Sequence, residues 1–87
     1  MFVILAYDVN ESRVEKINSI CSRYLFWRQN SVFTGIIDKC SLDFLEEELK
    51  REINLYEDYI LIFIFPSNVK FKLKEIGIKR YDDSKVF

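Results

Sequence analysis

The chain has no histidine among its 87 residues. Histidine is the side chain most often used for proton transfer near neutral pH, so catalytic triads and other mechanisms that require an imidazole are excluded. Acid–base chemistry in this protein would have to come from carboxylates, tyrosine, lysine or a metal-bound water.

Cysteine is also scarce, with Cys21 and Cys40 as the two thiols. A zinc site is not expected, because there is neither histidine nor a second cysteine pair. No basic segment followed by a cleavage site is present, so we expect reduced thiols and a cytoplasmic location. No apolar run approaches the ~20 residues of a membrane span, so we expect no membrane association.

A large excess of charge of either sign is absent, since the formal net charge is −1. Binding to a polyanion would therefore depend on local basic patches. Apolar residues are abundant, at 49% of the chain, of which many are aromatic. A chain of this length predicts a single domain over residues 1–87 that buries about two thirds of its unfolded surface. Part of the apolar excess is expected in an interface.

Residues 2–9 form a short apolar run in which Tyr7 and Asp8 stand side by side. The run predicts a strand buried on both faces. Because side chains alternate along a strand, Asp8 should share a face with Ile4 and Ala6, and Tyr7 should point the opposite way. The Asp8 carboxylate would then lie at the rim of a central strand. There it either accepts N–H bonds from the next turn or serves a site.

Two helices are predicted after this strand. Ser12 and Glu15 fit a capping box for a first helix over residues 13–24. Ser41 is the predicted N-cap of a second helix, whose apolar stripe consists of Leu42, Leu45, Leu49 and Ile53.

Further strands are predicted around the second helix. Residues 28–37 favour one bulged strand or two short strands joined by a tight turn. Residues 58–65 predict an apolar strand, and residues 69–74 alternate apolar side chains with lysine, as an edge strand does. The element order indicates an α+β, ferredoxin-like βαββαβ sandwich, an antiparallel sheet with two helices on one face and an extra C-terminal strand.

Two sequence motifs can be located on these predicted elements. The first strand carries Tyr7-Asp8, and residues 29–35 read Gln-Asn-Ser-Val-Phe-Thr-Gly. These two motifs resemble those of the small CRISPR-associated proteins of the adaptation module, the Cas-two (Cas2) family. The resemblance covers nearly the whole chain. The resemblance implies a homodimer in which the C-terminal segment, about residues 78–87, packs on the partner subunit. Because the chain is small and rich in apolar residues and ends in Val86-Phe87, we also expect the stability of the dimer to depend on residues 81–87.

The same resemblance implies an endoribonuclease or deoxyribonuclease that depends on Mg²⁺ or Mn²⁺, or the bridging subunit of the complex that inserts new spacers. It places the metal ligand on Asp8 and other positions associated with activity on Tyr7, Arg13 and Phe33. Hard cations take oxygen ligands, and one Asp8 per chain is a thin ligand set. A two-fold axis between the ends of the first strands would add the second Asp8.

Structural roles compete with catalytic ones at two of these positions. Arg13 lies in the first turn of the predicted helix, where a cation opposes the helix dipole. It therefore either contacts phosphate or pairs locally with Glu11 or Asp8. Phe33 could stack on a base, although an aromatic residue on a strand is more often part of the core.

The remaining predicted contacts to nucleic acid are basic. Arg28 is one of them. The strongly basic segment consists of Lys70, Lys72, Lys74, Lys79 and Arg80. Its lysines either follow a phosphate backbone, with Lys70, Lys72 and Lys74 as the expected contacts, or keep an edge strand soluble.

Three functions stay open from the sequence. The first is a Mg²⁺-dependent nuclease dimer centred on Asp8, which takes part in spacer acquisition and in defence against foreign nucleic acid. The second is a non-catalytic scaffold that grips duplex DNA and bridges subunits of a CRISPR-associated integrase. The third is a toxin-type ribonuclease of the same fold. The expected partners are a second copy of the chain, the integrase, and DNA or RNA.

Overall fold

The computed structural model of the chain describes residues 1–78. A short 3₁₀ helix, Glu11–Arg13, precedes the first α-helix. The strands and α-helices are β1 (Phe2–Asp8), α1 (Val14–Ser22), β2 (Phe26–Gln29), β3 (Val32–Ile36), α2 (Lys39–Glu52) and β4 (Tyr59–Phe65). This order confirms the predicted α+β ferredoxin-like fold. The strand expected at about residues 78–87, together with Lys79 and Arg80, falls beyond the described part except for residue 78.

The four strands form one sheet in the order β2-β3-β1-β4, with every neighbouring pair antiparallel. Strand β1 is central, and its Leu5 lies opposite Phe33 of β3 and Ile62 of β4. On the helix side of β1, Val3, Leu5 and Tyr7 are buried. The expectation of burial on both faces was wrong, because within residues 1–78 no helix covers the opposite side of β1, where Phe2, Ile4 and Ala6 are only half-buried.

The 3₁₀ helix that precedes α1 begins before the predicted capping box, with Asn10 as its N-cap. The Asn10 side-chain oxygen accepts from the Ser12 backbone N–H at 3.0 Å and from the Ser12 hydroxyl at 2.8 Å. This Asx turn starts the 3₁₀ helix, and Arg13, the N-cap of α1, makes no side-chain capping bond. The capping box of Ser12 and Glu15 was therefore wrong, because Asn10 captures the first free N–H group.

The second helix is capped by Asp38, three residues before the predicted Ser41. The Asp38 carboxylate accepts from the Ser41 backbone N–H at 2.7 Å, and hydrogen bonds from Ser41 lower the pKa of Asp38. Asp38 has extended backbone angles, as an N-cap requires, and Ser41 is already helical. The predicted stripe is confirmed in Leu42, Leu45 and Leu49, which are buried.

Residues 28–37 form parts of two strands, the second of the two predicted alternatives. Asn30 turns the chain with a φ of 41°, a left-handed conformation that asparagine tolerates well. The Trp27 indole N–H donates to the Asn30 carbonyl at 2.9 Å and braces the turn. Gly35 packs closely against Leu25, because a Cβ there would lie 3.0 Å from a Leu25 methyl carbon, which would have to move.

Residues 66–78 form no strand, so the edge strand predicted over 69–74 was wrong. Aromatic packing holds part of this segment instead of a hydrogen-bonded ladder. The Phe71 ring lies 4.4 Å from the Phe2 ring and 5.6 Å from the Phe65 ring, measured between centroids. Phe71 thus anchors the segment to the side of the sheet that the helices leave open.

Candidate functional site

Asp8 is the last residue of β1 and is exposed. Its partner across the β1–β4 ladder is Tyr59, the first residue of β4. Burial alternates along β1, so Asp8 shares its face with Ile4 and Ala6, and the buried Tyr7 points the opposite way. The predicted orientation of both side chains is confirmed.

Tyr7 and Phe33 lie behind Asp8 in the core. Their rings stack with centroids 6.3 Å apart, and Phe33 is 0% exposed. Burial raises the pKa of Tyr7, so its hydroxyl stays protonated at neutral pH. Phe33 is therefore a core residue, which was the predicted alternative to stacking on a base. Both rings support the end of β1 from the buried side of the sheet.

Arg13 forms ion pairs, but with neither of the two predicted partners. Its Nε donates to one Asp58 carboxylate oxygen at 2.6 Å and its Nη2 to the other at 3.0 Å. The same Nη2 also donates to Glu57. These hydrogen bonds raise the pKa of Arg13. Pairing with Glu11 or Asp8 was wrong, because the fold brings the start of β4 beside the 3₁₀ helix.

Asp58 was missed as a candidate and is the most heavily bonded carboxylate near Asp8. Its side chain is 0% exposed and accepts from the backbone N–H groups of Asn10 and Asn54, each at 2.8 Å. The Arg13 hydrogen bonds, followed by those of the two amides, hold the pKa of Asp58 far below its usual range. The available signal was a carboxylate at the first position of the strand predicted over residues 58–65, although this signal does not identify Arg13 as its partner.

The other predicted basic contacts, Arg28 and the lysines after β4, lie elsewhere in the sequence than Arg13 and Asp58. Arg28 donates to the Thr34 hydroxyl at 2.5 Å, and its guanidinium lies 4.0 Å from the Glu75 carboxylate. Arg28 and Thr34 line a cavity of about 420 Å³ that the segment from Leu73 to Ile78 closes on one side. The predicted lysine contacts, Lys70, Lys72 and Lys74, are exposed.

A divalent cation would find an incomplete set of ligands in one copy of the chain. Within residues 1–78, no three acidic or cysteine side chains are grouped to hold a metal. Asp8 offers a single exposed carboxylate, which suits a hard cation but leaves the remaining positions to water, substrate or a second subunit. Asp8 alone therefore supplies one of the several oxygen ligands that such a cation requires.

The sheet face without helices is apolar, and we call it the open face. By the strand registers it contains alternate residues of three strands: Phe2, Ile4, Ala6 and Asp8 of β1, Val32, Thr34 and Ile36 of β3, and Tyr59, Leu61, Phe63 and Phe65 of β4. Phe63 is 50% exposed and Ile36 is 78% exposed. Asp8 thus lies at the rim of an exposed apolar surface.

The fold and the position of Asp8 define a ferredoxin-like domain with one carboxylate at the rim of its open face. The family model of CRISPR associated protein Cas2 matches residues 1–73. The chain belongs to the CRISPR-associated Cas2 family. The predicted family resemblance is therefore confirmed.

Individual relatives agree with the family match. A protein from Thermotoga maritima named CRISPR-associated endoribonuclease Cas2 is 38% identical over 87 residues, which is 100% of both chains. A protein of the same name from Methanocaldococcus jannaschii is 40% identical over 92% of this chain and 70% of its own length. A solved structure described as the crystal structure of cas2 superposes with a TM-score of 0.79 at 46% identity, covering 92% of this chain and 90% of that one.

Residues 1–78 contain two α-helices and one short 3₁₀ helix. None of them has both the length and the apolar character needed to cross a bilayer.

Proposed function

We propose that the protein is a divalent-cation-dependent endoribonuclease that acts as a homodimer in the CRISPR adaptation module. The observation that carries this proposal is the placement of an exposed Asp8 at the rim of the apolar open face. The names of the relatives support the activity. The cation, Mg²⁺ or Mn²⁺, follows from the oxygen chemistry of Asp8.

The dimer completes the proposed site. Phe71 covers the open face near Phe2 and Phe65, whereas Phe63 remains half exposed, and packing two copies through this face would remove Phe63 from water. Asp8 belongs to the same face, so a two-fold axis near the ends of the β1 strands would bring two Asp8 carboxylates together. The edge of β4 is available to a partner strand in the described residues, which suits strand exchange by the C-terminal segment.

The residues at and beneath the end of β1 then have defined roles in the proposed activity. A bound Mg²⁺ would supply a Lewis acid for phosphodiester hydrolysis in a chain that has no histidine to act as a general base. The two Asp8 carboxylates would hold the cation between the subunits. The stacked Tyr7 and Phe33 would keep the end of β1 rigid beneath Asp8.

We also propose that the dimer takes part in spacer acquisition with a CRISPR-associated integrase. The competing scaffold function, in which the dimer grips duplex DNA without cutting it, is favoured by one observation. The described part of the chain holds a single exposed carboxylate at the proposed site and no group of three acidic or cysteine side chains that could hold a metal. A variant of Asp8 that cannot bind a cation separates the two functions.

The lysines after β4 give a prediction on binding. If Lys70, Lys72 and Lys74 contact phosphates, each Lys→Ala substitution should reduce the slope of log affinity against log salt by about one, because one fewer counterion is released. The measurement is a fluorescence titration of duplex DNA and of single-stranded RNA over a range of salt concentrations. An unchanged slope in the triple variant would restrict these lysines to a solubility role.

A further inference from the structure

Asp58 is a buried carboxylate that the proposed nuclease chemistry leaves unused. Its side chain is 0% exposed, yet it carries a charge, and burying a charge is unfavourable unless partners compensate it. Four hydrogen bonds do so here, two from Arg13 and one each from the backbone of Asn10 and Asn54. A buried carboxylate whose charge is balanced by hydrogen bonds holds the groups that donate those bonds in one arrangement.

The donors of Asp58 come from separate parts of the chain. Asn10 lies in the loop that leaves β1 two residues after Asp8, and Arg13 ends the 3₁₀ helix that follows. Asn54 lies in the connection from α2 to β4. Asp58 itself directly precedes Tyr59, the ladder partner of Asp8. The carboxylate therefore fastens the loop after Asp8 to the strand beside Asp8.

The same geometry argues against direct binding of phosphate by Arg13. Its Nε and Nη2 already donate to carboxylates, and its side chain is 24% exposed. One guanidinium faces two carboxylates, Glu57 and Asp58, so the cluster has a negative net charge. A phosphate would meet repulsion from the two carboxylates, and it could approach only through Nη1 unless it displaced these charge-assisted hydrogen bonds.

We infer that Asp58 is a positioning residue for Asp8, and that Arg13 acts through Asp58 rather than by touching nucleic acid. The catalytic part of this inference rests on the proposed nuclease function. Its geometric part, that Asp58 holds the loop and occupies Arg13, does not depend on cleavage.

The first test asks what Arg13 touches. Arg13→Ala should leave the salt slope for binding single-stranded RNA unchanged, whereas a phosphate contact would lower the slope by about one. Arg13→Lys keeps the charge but loses the two-pronged geometry, so it should impair cleavage as Arg13→Ala does. A reduced slope in Arg13→Ala, together with native cleavage in Arg13→Lys, would overturn the inference.

The second test compares Asp58→Asn with Glu52→Gln, an exposed carboxylate on α2 outside the Arg13 cluster. In Asp58→Asn, hydrogen exchange at the Asn10 and Asn54 amides should accelerate, and kcat for RNA should fall about 10- to 100-fold with KM unchanged. Glu52→Gln should stay within about twofold of the native kcat, as surface carboxylates generally do. Native kcat in an Asp58→Asn protein whose amides have lost protection would refute the positioning role.

The second test still gives a result if Asp58→Asn does not fold or if the native protein does not cleave RNA. If Asp58→Asn fails to fold, Arg13→Gln takes its place, because that variant leaves the Asp58 carboxylate with its two backbone donors. If the native protein cleaves no RNA, the proposed function fails by itself. The exchange rates and the salt slope then still decide whether Asp58 holds the loop and occupies Arg13.

Discussion

Replacing Asp8 with asparagine should reduce cation-dependent RNA cleavage at least about hundredfold while leaving the fold and the dimer intact. Asparagine keeps the shape of the side chain but removes the negative charge that holds a hard cation. Because Asp8 is exposed at the end of β1, the substitution disturbs no core contact. Initial rates with Mg²⁺ and with Mn²⁺ measure the effect. Glu15→Gln, an exposed acid on α1, is the matched control and should retain native rates.

The same preparations distinguish the nuclease from the scaffold. If the protein is a scaffold, Asp8→Asn should bind duplex DNA and support spacer integration like the native chain. Cleavage by the Asn variant at the native rate would remove Asp8 from the chemistry. Loss of integration alongside loss of cleavage would show that the scaffold function alone is insufficient.

A glutamate at Phe63 should convert the dimer to monomers, weakening association at least about hundredfold. Phe63 is 50% exposed in the single chain and lies on the open face. Packing two open faces would bury the introduced carboxylate without a partner, which costs several kcal/mol, and about 1.4 kcal/mol corresponds to a tenfold loss of affinity.

Phe44→Glu supplies the matched control for this experiment. Phe44 is an aromatic residue of similar exposure, 66%, but it lies on α2, on the other side of the sheet. Its substitution should leave the dimer unchanged. Sedimentation velocity over a range of concentrations reports both variants. A native dimer in Phe63→Glu, or dissociation in Phe44→Glu alone, would place the interface elsewhere.

Local periodicity was sufficient to predict the fold and the orientation of Asp8. The alternation along β1 assigns Tyr7 to the core and Asp8 to the opposite face, and the spacing of Leu42, Leu45 and Leu49 identifies the buried side of α2. These features depend on residues that are neighbours in the chain. They can therefore be read without knowledge of the tertiary arrangement.

Interactions between distant residues were not predictable in the same way. Asp58 pairs with Arg13, which lies 45 positions earlier, so nothing near either residue indicates the contact. The alternation over residues 69–74 predicted a strand because it satisfies the local pattern of one. In the fold, Phe71 contacts the rings of Phe2 and Phe65 instead, which a local pattern cannot anticipate.

The central claim is that two Asp8 carboxylates share one cation across the dimer. Titration with Mn²⁺, followed by calorimetry and by the electron paramagnetic resonance of the free ion, measures the stoichiometry directly. We expect one tightly bound cation per dimer in the native protein, none in Asp8→Asn, and weakened binding in the Phe63→Glu monomer. One cation per subunit, or undiminished binding in Asp8→Asn, would contradict this claim.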